Sequence, residues 1–313
     1  MTTFAEAAER IRRATSFADL CAGVETGRAG VETGRAGGEA YRKWAKLVHP
    51  DAAAETDKPA ATEAFAKLAE LYANQSAVLH SGDIADLSPW EDGAALLKVP
   101  RSPRDNDLMA AEADALRRLR RDGDPKFRAY APRLIESFTH EDAHRVRRTV
   151  NVIERLPGFV PVAAINREID PRDAAWIWRR LLTGLGWAHR AGVVHGAILP
   201  DHVLIHPGEH GVALVDWCYS GTRPVAVVKR WADAYPPEVR RGEAGPATDI
   251  YMATGLIKRL VGGRMPAALR RFADGCRFDA PRMRPQDAWL LLGELDELLH
   301  KLYGPRKFRP FEI

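Results

Sequence analysis

The chain has 313 residues, a net charge of +4 and 46 % hydrophobic residues, enough for two or three folded domains. No apolar run reaches the roughly 18 residues of a membrane helix, and 46 basic against 42 acidic residues is too mild a balance to imply nucleic acid. Three scattered cysteines, Cys21, Cys218 and Cys276, form no metal-ligand spacing, and the N-terminal stretch carries Glu6, Glu9 and Asp19 without an apolar segment, so a reduced cytoplasmic location with no membrane partner is predicted.

Residues 3–13 predict an amphipathic helix with Phe4, Ala7, Ala8 and Ile11 on one stripe. Gly-Val-Glu-Thr-Gly-Arg-Ala at 23–29 then recurs unchanged at 30–36. Two glycines and a single Val per unit cannot build a coiled-coil seam. Residues 23–38 therefore read as a duplicated flexible loop, and loop lengthening costs only about 0.6 kcal/mol per doubling. Residues 39–48 predict a helix with Tyr41, Trp44, Leu47 and Val48 on its apolar side, stopped by Pro50. A second helix covers 61–74, with Phe65, Leu68, Leu71 and Tyr72 at helical spacing. From 76 the texture changes to short strands and turns: a strand at 94–99, a helix at 106–121, and strands at 134–138 and 149–155. Beyond Pro157 the pattern is mainly helical, over 171–190, 246–260, 264–276 and 285–302. The tail at 303–313 is basic and expected to be loosely held. The arginine runs at 117–121 and 145–148 read as solvated faces.

Two amphipathic helices joined by His49-Pro50-Asp51 carry the first constellation. The phrase YRKWAKLVHPD followed by EAFAKLAELYA resembles the J-domain, the DnaJ-type module, over about residues 1–75. That resemblance implies docking on a DnaK-type chaperone and stimulation of its ATPase. His49, Pro50 and Asp51 would make contacts and perform no chemistry. Arg42, Lys43 and Lys46 would supply a basic stripe that steers docking onto an acidic partner surface. The blander reading is a helix stopped by proline beside a solvated His–Asp pair. The loop between the first helices is longer than the family's because of the repeat.

The second constellation spans about 80–302. His195-Gly196-Ala197-Ile198-Leu199-Pro200-Asp201-His202 and Asp216-Trp217-Cys218 resemble the catalytic loop and metal motif of protein kinase-like proteins. Lys98 in ALLKV matches the strand lysine that contacts nucleotide phosphates. Glu112 matches its ion-pair partner, and Glu154 falls at the hinge. Tyr235-Pro236-Pro237-Glu238 resembles Ala-Pro-Glu; Asp249 and Arg284 match structural residues, and Glu238 with Arg284 is the expected buried ion pair. The fold class implied is α+β: a J-domain over 1–75, a kinase-like small lobe over 76–156, a helical large lobe over 157–302, and the tail. His195 is read as a packed structural histidine and Trp217 as core.

The departures matter as much. Ala197 stands where the general base should be, and a base contributes about 10²–10⁴ in rate. Leu199 removes a cation from the transferring group. His202 replaces the metal-binding Asn and suits a softer metal than Mg²⁺. Residues 81–93 hold two widely spaced glycines among four acids, a poor phosphate cradle. Asp216 survives as the candidate metal ligand, and Lys98, Glu112, Glu154 and Asp216 leave binding of ATP and Mg²⁺ chemically available. Asp201 could serve as a displaced base. The expectation is a pseudokinase-bearing co-chaperone with an unidentified client. The alternative is a divergent nucleotide-dependent transferase moving phosphoryl or AMP, with Asp216 and Asp201 in its chemistry.

Overall fold

The computed structural model describes residues 3–15, 17–21, 41, 43–50, 53–75, 78–90, 93–141, 145–223 and 226–313. The duplicated loop, Arg42 and Asp51 lie outside them. Contacts divide the chain into two compact units, Met1–Arg101 and Ser102–Ile313.

Among its described residues the first unit opens with four α-helical segments. Helix α1 (Phe4–Arg13) starts where a capping box forms: the Thr3 side chain accepts the Glu6 amide, and the Thr3 amide donates to Glu6 at 2.8 Å. Helix α2 (Phe17–Cys21) is short, α3 covers residues 43–48, and α4 (Lys58–Gln75) has Pro59 in its first turn, where a missing N–H does no harm. Ala7, Ala8, Ile11, Phe17, Leu20, Trp44, Val48, Ala64, Leu68 and Leu71 form one buried cluster. The Trp44 indole donates to the Leu20 carbonyl at 3.2 Å and so ties α3 to α2. The stripes expected on three of these helices are thus the faces that meet.

The same unit ends in an antiparallel run of β1 (His80–Ser81), β2 (Ala85–Trp90) and β3 (Ala95–Pro100), with Leu87 opposite both His80 and Lys98. Strand β2 escaped the sequence reading. Its Asp86, Ser88 and Pro89 are poor strand formers, and cross-strand pairing overrides them.

In the second unit, α5 (Asn106–Asp122) is fastened at its start by Asn106, which donates to the Arg147 carbonyl at 3.0 Å and accepts the Thr149 amide at 2.8 Å. Both partners lie on β5 (Arg147–Glu154), which pairs antiparallel with β4 (Leu134–Glu141). A second sheet has the order β6 (Val160–Pro161), β7 (Val203–His206), β8 (Gly211–Leu214). Helix α6 (Pro171–Arg190) begins on Asp170, whose carboxylate accepts the Arg172 amide at 2.8 Å. Its Trp178, Leu181, Leu182 and Leu185 are fully buried, and it packs against α7 (Pro246–Val261), α9 (Ala288–Tyr303) and β8. Gly186 lets the Trp289 ring lie on the helix backbone, because any Cβ there would overlap the indole. Helix α8 (Ala267–Gly275) completes the helical portion.

The tail corrects its expectation. Phe311 is buried against Trp176, Phe308 stacks on His210 at 4.4 Å between centroids, and Arg309 pairs with Asp173 at 2.9 Å. Two aromatic rings and a paired guanidinium outweigh a segment's tendency to fray. Taken together, the sheet and helical portions form a mixed α/β chain compatible with the kinase-like expectation.

Candidate functional site

The site is built on the loop at 195–202 and the turn at 216–219. The loop's backbone is held from below by α7. Asp249, fully buried, accepts the His195 amide (2.8 Å) and the His189 ring (2.9 Å) on Oδ2, and the Gly196 amide (2.8 Å) on Oδ1. Gly196 has φ +78°, and a Cβ there would collide with the Tyr219 carbonyl. Only glycine suits this crossing of two backbones.

His195 is the packed residue that its position suggested. Its Nε2 donates to the Val215 carbonyl at 3.0 Å, and its Nδ1 accepts the Ala197 amide at 3.3 Å. A carbonyl can only accept and an amide only donate, so both ring nitrogens are committed in the neutral form. Burial pushes its pKa down to about 4. Trp217 is fully buried, packs on the His195 ring at 4.5 Å and donates to the Leu214 carbonyl at 2.8 Å.

Ala197 is fully buried and offers a methyl group where a carboxylate would be needed. His202 donates from Nδ1 to the Ala197 carbonyl at 2.9 Å, and its Nε2 lies 3.6 Å from Asp216 Oδ2. The Asp201 carboxylate accepts the Trp231 indole N–H at 2.8 Å and meets Arg230 at 3.2 Å. Asp216 sits in the left-handed backbone region, φ 61° and ψ 48°, at the head of a 3-10 turn. Ligand atoms of Asp216, Glu112 and Cys218 all lie within 4.8 Å of one another. Glu112 is buried on α5, oriented by Asn151, which donates to it at 3.0 Å and to the Met109 carbonyl at 2.9 Å.

This donor set does not fit Mg²⁺ held as an active kinase would hold it. Mg²⁺ takes oxygen ligands in near-octahedral array. Here the oxygens of Asp216 face a thiol on one side, 3.9 Å from Cys218 Sγ, and an imidazole on the other. Cys218 and Asn151 were missed in the sequence. The i, i+2 spacing of Cys218 from Asp216 was a usable signal; nothing in the pattern singles out Asn151.

Lys98 is buried on β3. Glu154 ends β5, its Oε2 accepts the Arg133 amide at 3.0 Å, and it lines a cleft of arginines. Glu238 and Arg284 form a buried two-bond pair, at 2.6 and 3.0 Å. Burial raises the Glu238 carboxyl, but its bonds to Arg284 and Thr248 carry it below the ordinary range. In the first unit, His49 follows α3, exposed, its ring edge-on to Phe65 at 5.1 Å. Lys43 and Lys46 are exposed on α3 and Pro50 is half-buried.

No family model matches the chain. Over 105 residues, 31 % of the chain, it is 32 % identical to the serine/threonine-protein kinase PknL of Mycobacterium tuberculosis, covering 26 % of that protein. Over 139 residues, 39 % of the chain, it is 32 % identical to sperm motility kinase Z of Mus musculus, covering 27 % of it. The chain spans about a quarter of the length of these curated relatives. The similarity supports a kinase-like domain. No described helix is long and apolar enough to cross a membrane.

Proposed function

We propose that this chain is an adaptor in which a J-domain-type helical module recruits a DnaK-type chaperone and a kinase-like domain, devoid of phosphoryl transfer, engages a client. The observation that carries the second half is the bond from His202 to the Ala197 carbonyl. The residue in the metal-binding place braces the loop, and the residue in the base's place is a buried methyl. A methyl group cannot take a proton from a substrate hydroxyl. Asp201, engaged by Trp231 and Arg230, is poorly placed to substitute.

The first half is supported by the exposed His49 directly after α3, the exposed Lys43 and Lys46, and the helical cluster beneath them. A module that acts by contact needs no catalytic residue of its own. The test adds the purified chain to a DnaK-type chaperone with ATP. Steady-state hydrolysis rises several-fold, and His49→Gln abolishes the rise while the helical circular dichroism is unchanged. An unchanged rate with the native chain overturns the adaptor reading.

A second reading, a nucleotide-dependent transferase moving phosphoryl or AMP, is favoured by the convergence of Glu112, Asp216 and Cys218. ATP, with and without Mg²⁺, is the ligand to test there. Label transfer from γ- or α-labelled ATP that Asp216→Ala abolishes would move the assignment to this reading.

A further inference from the structure

We infer that the kinase-like unit carries a separate site for a small phosphorylated molecule, in an arginine-lined cleft formed by the end of α5, the following turn and the start of β4. The inference is independent of the function proposed above.

The helical period places Arg117, Arg120 and Arg121 within one turn of each other at the end of α5. The chain then doubles back through the 3-10 helix Pro125–Tyr130, and Arg128 reaches across to donate to the Arg120 carbonyl at 2.9 Å. Arg133 follows immediately before β4. These five side chains line a cleft of about 590 Å³, within the range of small-molecule sites, about 300–1,000 Å³.

Charge gives the class of ligand. Among the described residues, Glu154 is the single carboxylate in the lining, against five guanidiniums. Arg117 pairs with Asp114 at 3.1 Å and Arg121 with Asp122 at 2.8 Å. Arg120 and Arg133 have no side-chain ion pair among the described residues. Like charges gathered at one cleft favour an anion there.

A ligand with several acceptor oxygens and a charge of about −2 would suit the exposed guanidiniums of Arg120 and Arg133. Guanidinium forks match phosphoryl oxygens in geometry as well as charge. Leu116, Leu119 and Trp187 supply an apolar wall for an organic part.

The test is thermal unfolding of the full chain with inorganic pyrophosphate, against potassium chloride at equal ionic strength. A ligand of the folded state raises Tm by mass action, by roughly 5–10 °C at hundredfold excess over Kd. The rise is expected to persist in Arg282→Ala, an exposed residue outside the cleft, and to vanish in Arg120→Glu/Arg133→Glu. The charge-neutral pair Arg120→Gln/Arg133→Gln, made at exposed positions, guards against misfolding and is expected to shift the titration at least tenfold. No rise beyond the salt control, an equal rise in the double variants, or a rise with a short single-stranded DNA and none with pyrophosphate would overturn the inference.

Discussion

Asp249 holds Gly196 by its backbone: 2.8 Å separates the carboxylate Oδ1 from the glycine amide. The other oxygen takes the amide of His195 and the ring of His189. A single buried carboxylate on α7 thereby fixes the start of the loop in which Ala197 and His202 sit.

Replacing that carboxylate by an amide turns one acceptor into a donor aimed at other donors. Asp249→Asn is expected to lose roughly 3 kcal/mol, the range of a buried charge-assisted network that is broken. Urea unfolding of the full chain measures it. A loss below about 1 kcal/mol would mean that the loop is held elsewhere.

Arg284→Met leaves Glu238 buried without its two-bond partner. A loss of about 3–5 kcal/mol is expected, and the double replacement Glu238→Leu/Arg284→Met is expected to recover most of it. Equal losses in the single and double variants would contradict the pair's role.

The His195 ring ties stability to acidity. Its folded pKa, about 4, lies below its ordinary 6.5, so the fold prefers the neutral ring. As pH falls through 6.5 the unfolded chain takes up the proton first. The contribution is complete above that pH, shrinks towards pH 4 and then stays constant; its span is about 3 kcal/mol. Unfolding free energies at pH 7.5 and 5.0 are expected to differ less in His195→Gln than in the native chain. Parallel profiles would remove His195 as the source.

Much of this was legible because local signals and tertiary demand agree. Asp170-Pro171 and the apolar spacing after it mark α6 from end to end. In α1 and α4 the apolar stripes are the faces that pack. The strands were harder. β7 is four residues long, too short for a period to register, and β2 goes against its own propensities. At the site, the departures Ala197, Leu199 and His202 were visible in order and spacing. What His202 touches was not, since a bond to the Ala197 carbonyl depends on how the loop closes. Glu154 shows the same limit, its position in the chain having hidden the company of arginines that it keeps.

Restoring the missing carboxylate is not expected to restore transfer. Ala197→Asp puts a charge at a fully buried position, next to a loop already closed by His202. Loss of stability by more than 2 kcal/mol is expected, with no label moved from γ-labelled ATP to an acceptor protein. Robust transfer by this variant would show that the rest of the machinery is intact.

Cys276 is buried, and its thiol is pushed up to about 11 by that burial. The thiolate is the reacting form, so iodoacetamide at pH 8 is expected to modify Cys276 at least tenfold more slowly in the folded chain than in urea. Peptide mapping reads the two rates. Equal rates would place the thiol in solvent.

An enzyme's reacting loop is completed by its cargo, which supplies the missing contacts for one turnover and then takes them away. Here the imidazole of His202 supplies them permanently. That brace is buried, so the loop keeps its closure without help from a bound molecule.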